Sequence, residues 1–516
     1  MLKTKCSRPL AFLLFLSFIS FSAVAEESKL TVNFSSSSLS LNPQYGFTTA
    51  EAQIYTALYE GLVSYHPATL QPRPGLAESW EIGEEGTVYT FHLRRDLKWS
   101  SGETLTAGHI RDSWLKLLSP GMTADYASLL DVIRGAGEYR TGTGERDAVA
   151  ILAEDDRTLR VELIKPVPYF LQILCHYSFV PVHPDLLDRQ DWWSETEIPV
   201  SGPFLFSGEI RRNRLILKKN DAYWDSENVD LTEIRIQFSD DPAELMDQFR
   251  LYEVDWIVSG WGGESPDPQK LVLNPLFSTS YLFFNNNQKP WDDPRVRTGL
   301  ALLLPWETIR SQELIPTSRL VPTIPGYPVI RGIEAQDIKK GMSLLEEAGY
   351  PGGAGLPEIR LRVPYAEYES LNTMKAIWEE LLDVSVVIEE VPFPRYFQAL
   401  KDGGYALGQI TWIGDYADPM TFLQMWQEGS SLNDASYYDE EYNRLLNEST
   451  SEDRLEKMAE AEQILLDTAQ VLPMSHSPAL NLIDLRLIDG WFANVLDIHP
   501  FKYIRFHSSF VIPGSI

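Results

Sequence analysis

Residues 358–419 decide the fold. Glu358-Ile-Arg-Leu-Arg-Val363 alternates apolar and charged positions and predicts a strand. Ser370 to Leu382 follows at helical spacing, with Leu371, Met374, Trp378 and Leu381 on one stripe. Val384 to Val391 is β-branched and predicts a second strand, Pro394 to Leu400 a short helix, and Tyr405 to Ile413 a third strand. Strands alternating with helices imply right-handed crossovers and a mainly parallel sheet, so the class is α/β. Working outward, Asp337 to Ala348 predicts a helix stopped at Gly349. Glu452 to Ala469 predicts another, opened by Ser451 and two acids.

Upstream, Ile234-Arg-Ile-Gln-Phe238, a helix beginning near Pro242 and Val254-Asp-Trp-Ile-Val258 form a second β-α-β unit. The strand Leu30-Thr-Val-Asn-Phe34 precedes a helix from Thr48 with Ile54, Ala57, Leu58 and Leu62 on one face. Residues 62–185 are strand-rich, and Val88 to Leu93 and Thr158 to Leu163 alternate as half-buried strands do. Open α/β sheets bind ligands beyond the carboxyl ends of their strands. The strand Tyr405 to Ile413 ends directly on Gly414-Asp415-Tyr416-Ala-Asp418-Pro419, so Asp415 is a candidate ligand contact, a solvated loop acid being the alternative. Trp412 before Asp415, and Trp261 within Ser259-Gly-Trp-Gly-Gly263, are candidates for lining a cleft, with plain core as the alternative for each.

Composition narrows the function. The 516 residues are 44% hydrophobic and 23% charged, ordinary for a globular chain of about three domains. Lys and Arg number 44 against 73 Asp and Glu, a net charge of −29 that nucleic acid or an anionic membrane would repel. Arg211-Arg212-Asn213-Arg214 is too short a basic cluster to reverse this. Lys3, Lys5 and Arg8, an apolar run from Leu10 to Val24 and Ala23-Val24-Ala25 predict a cleaved signal peptide over residues 1–25, with a single anchoring helix as the alternative. Cys6 lies too early in it to be a lipid-anchored cysteine, and Cys175 is left without a disulfide partner. The expected location is the periplasm, free in solution. No nucleophile elbow, Walker A loop, H-E-x-x-H or C-x-x-C pair occurs, so no catalytic residue is assigned. Cys175, His176 and His183 could approach a metal, but adjacent residues on a strand point apart, so no metal or cofactor is expected.

Ordered motifs then point to a family. They run from Leu58-Tyr-Glu-Gly-Leu62 and Pro74-Gly-Leu-Ala-Glu-Ser-Trp80 through Lys98-Trp-Ser-Ser-Gly-Glu-Thr-Leu-Thr-Ala107, Ser201-Gly-Pro-Phe204 and Leu217-Lys-Lys-Asn-Asp-Ala-Tyr-Trp224. Trp291-Asp-Asp-Pro-Arg-Val-Arg297, Leu344-Leu-Glu-Glu-Ala-Gly-Tyr350 and Trp412-Ile-Gly-Asp-Tyr-Ala-Asp-Pro419 complete them. Together they resemble the bacterial extracellular solute-binding proteins of the oligopeptide/dipeptide/nickel class, the receptors of ABC importers, and most nearly the periplasmic oligopeptide receptors. The resemblance implies a two-lobed clamshell with mixed, mainly parallel sheets. Lobe I would comprise 26–61, 186–283 and 489–516, an extra α+β domain 62–185, and the opposing lobe 284–488. Crossover strands would lie near 280–288 and 480–488. The resemblance also implies a monomer that binds peptides and delivers them to the importer's membrane permease subunits. In the family the acid of the W-x-x-D-Y segment pairs with the ligand's α-ammonium; here that acid is Asp415, flanked by Trp412, Gly414 and Tyr416. Tyr126 and His176 match cleft positions, His176 fitting plain core equally well. Phe277, Leu282, Phe284 and Gln409 stand where the relatives are more polar or basic, so the grip on a ligand carboxylate is expected to differ. A receptor for a nickel complex, haem or sugar on the same fold, or an exported hydrolase, are the alternatives.

Overall fold

The computed structural model describes residues 28–507, apart from 35–39, 47, 190–191, 193–196, 208–213, 259–266, 366–367, 394 and 450–452. The leader 1–25, Trp261, Ser451 and most of the arginine cluster lie outside the described residues.

The chain builds two principal sheets. A seven-stranded sheet runs in the order 271–275, 478–483, 256–258, 29–34, 233–238, 214–219, 204–206. Its centre is parallel: Lys29–Phe34 pairs in register with Glu233–Phe238 on one side and Trp256–Val258 on the other. The helix Pro242–Arg250 makes the crossover between those two strands. Pro242 sits in its first turn, and the Asp241 carboxylate accepts from the amides of Ala243 and Glu244. Alternation divides the sheet's two faces. Leu30, Val32 and Phe34 enter a core with Trp256, Trp491 and Phe501, while Ile257 and Leu482 pack against Leu245 and Phe249 of the crossover helix.

The five-stranded sheet runs 386–390, 359–363, 407–413, 278–284, 471–475. The stretch 358–419 supplies its parallel part, with Ile359–Val363 between Val386–Glu390 and Leu407–Ile413. The helix Glu369–Leu382 buries Leu371, Met374 and Trp378; the fourth buried position is Leu382 rather than the expected Leu381, and Asp383 in the left-handed region ends the helix. Ile338–Glu347 is capped by Asp337 and stopped at Gly349 (φ 96°), and Arg454–Asp467 is the other expected helix.

Both sheets are mixed, and parallel ladders form part of each rather than most of it. The antiparallel strands enter where the chain crosses between sheets. Leu271–Pro275 belongs to the first sheet and Ser278–Phe284 to the second; Val471–Ser475 belongs to the second and Pro478–Ile483 to the first. The crossings therefore fall at 276–277 and 476–477, earlier than the expected 280–288 and 480–488. They lie side by side, with the Ser278 hydroxyl donating to the Ser477 carbonyl at 2.9 Å.

Residues 62–185 carry a separate antiparallel four-stranded sheet, Ala77–Gly83, Val88–Leu93, Thr158–Glu162 and Ile151–Asp155. Its hydrophobic cluster, with Phe91, Trp99, Trp114 and Phe170, is continuous with the inner face of the five-stranded sheet through Tyr281, Phe283, Trp412 and Trp426. Strand alternation makes this possible, since Leu282 and Phe284 point into the opposite core with Trp306 and Trp378.

Candidate functional site

A cavity of about 310 Å³ lies where the three parts of the chain meet. Phe34, Thr48, Thr49, Ala50, Ala52, Val258, Leu496 and Ile498 line it from the side of the seven-stranded sheet. Tyr126, His176 and Tyr177 line it from the 62–185 region, and Tyr365, Phe393, Phe397 and Ile410 through Asp415 from the five-stranded sheet.

The strand Leu407–Ile413 delivers Asp415 into this cavity. The turn is fixed by the Gly414 amide, which donates to the Phe277 carbonyl at 2.8 Å, and by the Asp415 amide, which donates to the Thr421 hydroxyl at 2.8 Å. Gly414 is required by space, because a Cβ there would stand 2.7 Å from the Phe277 ring and 2.9 Å from the Thr421 methyl. Tyr65 secures the turn from the 62–185 region by donating to the Asp415 carbonyl at 3.1 Å.

The Asp415 side chain is buried. It accepts from the Thr421 hydroxyl at 3.2 Å and from the Tyr126 hydroxyl. Burial outweighs these hydrogen bonds and pushes its carboxyl up to about 7. His176 Nε2 stands 3.7 Å from Asp415 Oδ1, yet this is no ion pair. Burial pushes the imidazole down to about 3, leaving it neutral, and its Nδ1 accepts from the Ser178 amide at 3.3 Å. The Tyr126 ring packs on His176 with centroids 4.4 Å apart, and burial raises the Tyr126 and Tyr177 hydroxyls well above the usual phenol range. Asp415 is thus a desolvated carboxylate held by neutral donors, with room beside it for a cation. Trp412 adds a second unmet demand, since its buried indole N–H has no hydrogen-bond partner.

Five of the six residues singled out from sequence, Asp415, Trp412, Gly414, Tyr126 and His176, line this cavity. Tyr416 does not. Following Asp415 round the turn, its ring points away, fully buried and stacked on Tyr169 at 5.4 Å, with its hydroxyl donating to Gln424 at 2.8 Å. Asp418 is engaged structurally, accepting from the Met420 amide at 3.0 Å and from Arg454 at 2.8 Å. His183 is paired with Glu103 at 2.6 Å, and no group of three metal-ligating side chains occurs among the described residues. Sequence reading missed Tyr177, Tyr365, Phe393 and the start of the helix Thr49–Leu58. The helix itself was legible, but nothing in its pattern marks its amino end as a cavity wall.

The fold and cavity define a protein that encloses a solute between lobes. The model of the bacterial extracellular solute-binding proteins, family 5, matches residues 71–434, and the chain belongs to that family. It is 28% identical over 481 residues to the oligopeptide-binding protein OppA of Bacillus subtilis, covering 87% of each chain. It is 29% identical to YgiS of Escherichia coli, described as a probable deoxycholate-binding periplasmic protein, covering 86% of this chain and 87% of that one. Among solved structures it is similar to a periplasmic oligopeptide-binding protein, OppAIV of Borrelia burgdorferi, with a TM-score of 0.83, 28% identity and coverage of 93% of this chain and all of that one.

Proposed function

We propose that this protein is a periplasmic receptor that captures peptides in the interlobe cavity and hands them to the membrane permease subunits of an ABC importer. It acts as a monomer, free of a lipid anchor, without catalysis or a cofactor. Of the described residues, lobe I comprises those from 28 to 61, from 186 to 276 and from 477 to 507; those from 62 to 185 form the extra domain, and those from 277 to 476 the opposing lobe. The observation that carries the reading is Asp415. A peptide's α-ammonium supplies the cation that its buried carboxylate lacks, as a charge-assisted hydrogen bond in a low-dielectric site. Deoxycholate, named for one relative, is an anion and would meet Asp415 in a cavity with no lysine or arginine among its described lining residues.

Native mass spectrometry of the protein incubated with a mixed peptide pool tests the reading. Intact bound peptides are expected, lost on Asp415→Asn. Removing one partner of a buried charge pair costs about 2–5 kcal/mol, roughly 30- to 5,000-fold in affinity. A ligand without an amino group that survives this substitution would overturn the proposal, as would cleavage of the peptides by the pure protein.

A further inference from the structure

The remaining wall of the cavity says what the other end of the ligand meets. Among the described residues lining it there is no lysine or arginine. Residues 35–39, 47, 259–266 and 366–367 in the chain contain none either, and Arg395, two residues beyond Phe393, is exposed and is not among the lining residues. The wall's remaining source of positive potential is the amino end of the helix Thr49–Leu58, and it is already occupied. Thr48 and Glu51 form a reciprocal capping box, and the buried Glu51 carboxylate also accepts from the Ser40 amide at 3.1 Å. A smaller adjoining recess of about 60 Å³ does contain Lys502. That ammonium is buried against Glu60 at 2.8 Å and the Tyr223 hydroxyl at 3.0 Å, so its charge is spent.

Among the described residues lining this cavity Asp415 is the acid, and the other polar groups are neutral, among them the hydroxyls of Thr48, Thr49, Thr411, Tyr126 and Tyr177. Asp415 accepts from a cation, and the neutral groups can serve amides along a peptide. Phe34, Phe393, Phe397 and Ile410 supply apolar surface between and around them. A carboxylate buried here would stand unpaired in a site that already holds one, which is strongly unfavourable.

We infer that the site grips its ligand by the amino end alone: it selects compounds with a primary ammonium and an apolar body, and makes no charged contact with a carboxylate. Resting on the peptide-receptor reading, this specifies its ligand class. Peptides whose carboxyl end is blocked, or lies far enough along the chain to reach solvent, are ligands as good as or better than short free acids.

The test uses one pool of randomised tripeptides made in three forms: free acid, carboxy-terminal amide and N-acetyl. Each is titrated calorimetrically into the purified protein, with Asp415→Asn as a parallel variant. The expected result is that the amide pool binds at least as tightly as the acid pool, within about threefold or better, while the N-acetyl pool loses about 30-fold or more. An amide pool weaker than the acid pool by about tenfold or more, with the N-acetyl pool also weak, overturns this inference and leaves the peptide-receptor reading standing. Failure of all three pools to bind overturns both.

Discussion

Asp415 costs the empty protein stability for the same reason that it serves a ligand. Its carboxyl sits near 7 in the folded chain against an ordinary 3.8. Between those values the folded state holds the proton better than the unfolded chain, so ionisation opposes folding. The cost is absent below about pH 4, grows as pH rises and is complete above about pH 7, reaching up to about 4 kcal/mol. Asp415→Asn is therefore expected to melt higher than wild type at pH 8 and level with it at pH 4, although it no longer binds. His176, buried and neutral, pulls stability the other way on acidification, but it is common to both proteins and cancels in the difference. An equal melting difference at both pH values would mean that Asp415 does not ionise in the folded protein. Affinity has the opposite pH dependence. A peptide ammonium pairs with the ionised carboxylate, so binding releases a proton below pH 7 and weakens by up to about tenfold per pH unit between 7 and 5. N-acetyl peptides should show a flat profile over this range in the same calorimetric titration.

At the scale of elements, the strand Leu407–Ile413 and its closing turn act as one positioning device. Gly414→Ala would press a methyl between Phe277 and Thr421 and cost about 1–3 kcal/mol of stability. Because Thr421 also holds the Asp415 carboxylate, peptide affinity should fall with it, read by calorimetry beside thermal melts. Unchanged affinity with lowered stability would detach the turn from binding. This strand was legible from its place in the alternation of strands and helices, and so were the helices at 338–347, through its glycine stop, and 369–382, through its apolar stripe. So was the placement of Asp415 at a strand end. Sheet membership was not. Leu271 to Phe284 reads as one apolar run broken at Pro275, and both halves would alternate acceptably in either sheet. Only the pairing of Ser278–Phe284 with Leu407–Ile413 reveals that the chain has changed lobes. Tyr416 misled for a related reason, since a turn of undetermined geometry does not disclose which of two adjacent side chains faces the ligand.

At the scale of the molecule, residues 62–185 meet the opposing lobe around the cavity through polar contacts besides those of Tyr65 and Tyr126 with Asp415. Lys401 pairs with Asp125, the Ser431 amide donates to the Ser128 hydroxyl at 3.2 Å, and Arg140 donates to the Gly429 carbonyl at 2.8 Å. These contacts link residues 62–185 to the opposing lobe, while the chain crosses between the two principal sheets through the adjacent strands at 276–277 and 476–477. That layout predicts closure by bending at the paired crossings, with the polar links made last. Asp125→Asn should raise the peptide dissociation rate several-fold in stopped-flow measurements and leave the association rate nearly unchanged. Small-angle scattering should give a smaller radius of gyration with peptide than without. Equal radii at saturation would show that the lobes do not move.

The strand Pro478–Ile483 lies inside the seven-stranded sheet, between Trp256–Val258 and Leu271–Pro275, although it comes some two hundred residues later in the chain. During synthesis the first lobe therefore has a gap in its sheet until almost the whole polypeptide exists. Until then two strand edges stand unpaired, and closing them requires contacts of very long sequence separation, which form slowly. A nascent chain that cannot complete its first lobe early stays threadable, which suits a member of an extracellular family. The same order of events leaves the chain open to aggregation while it waits.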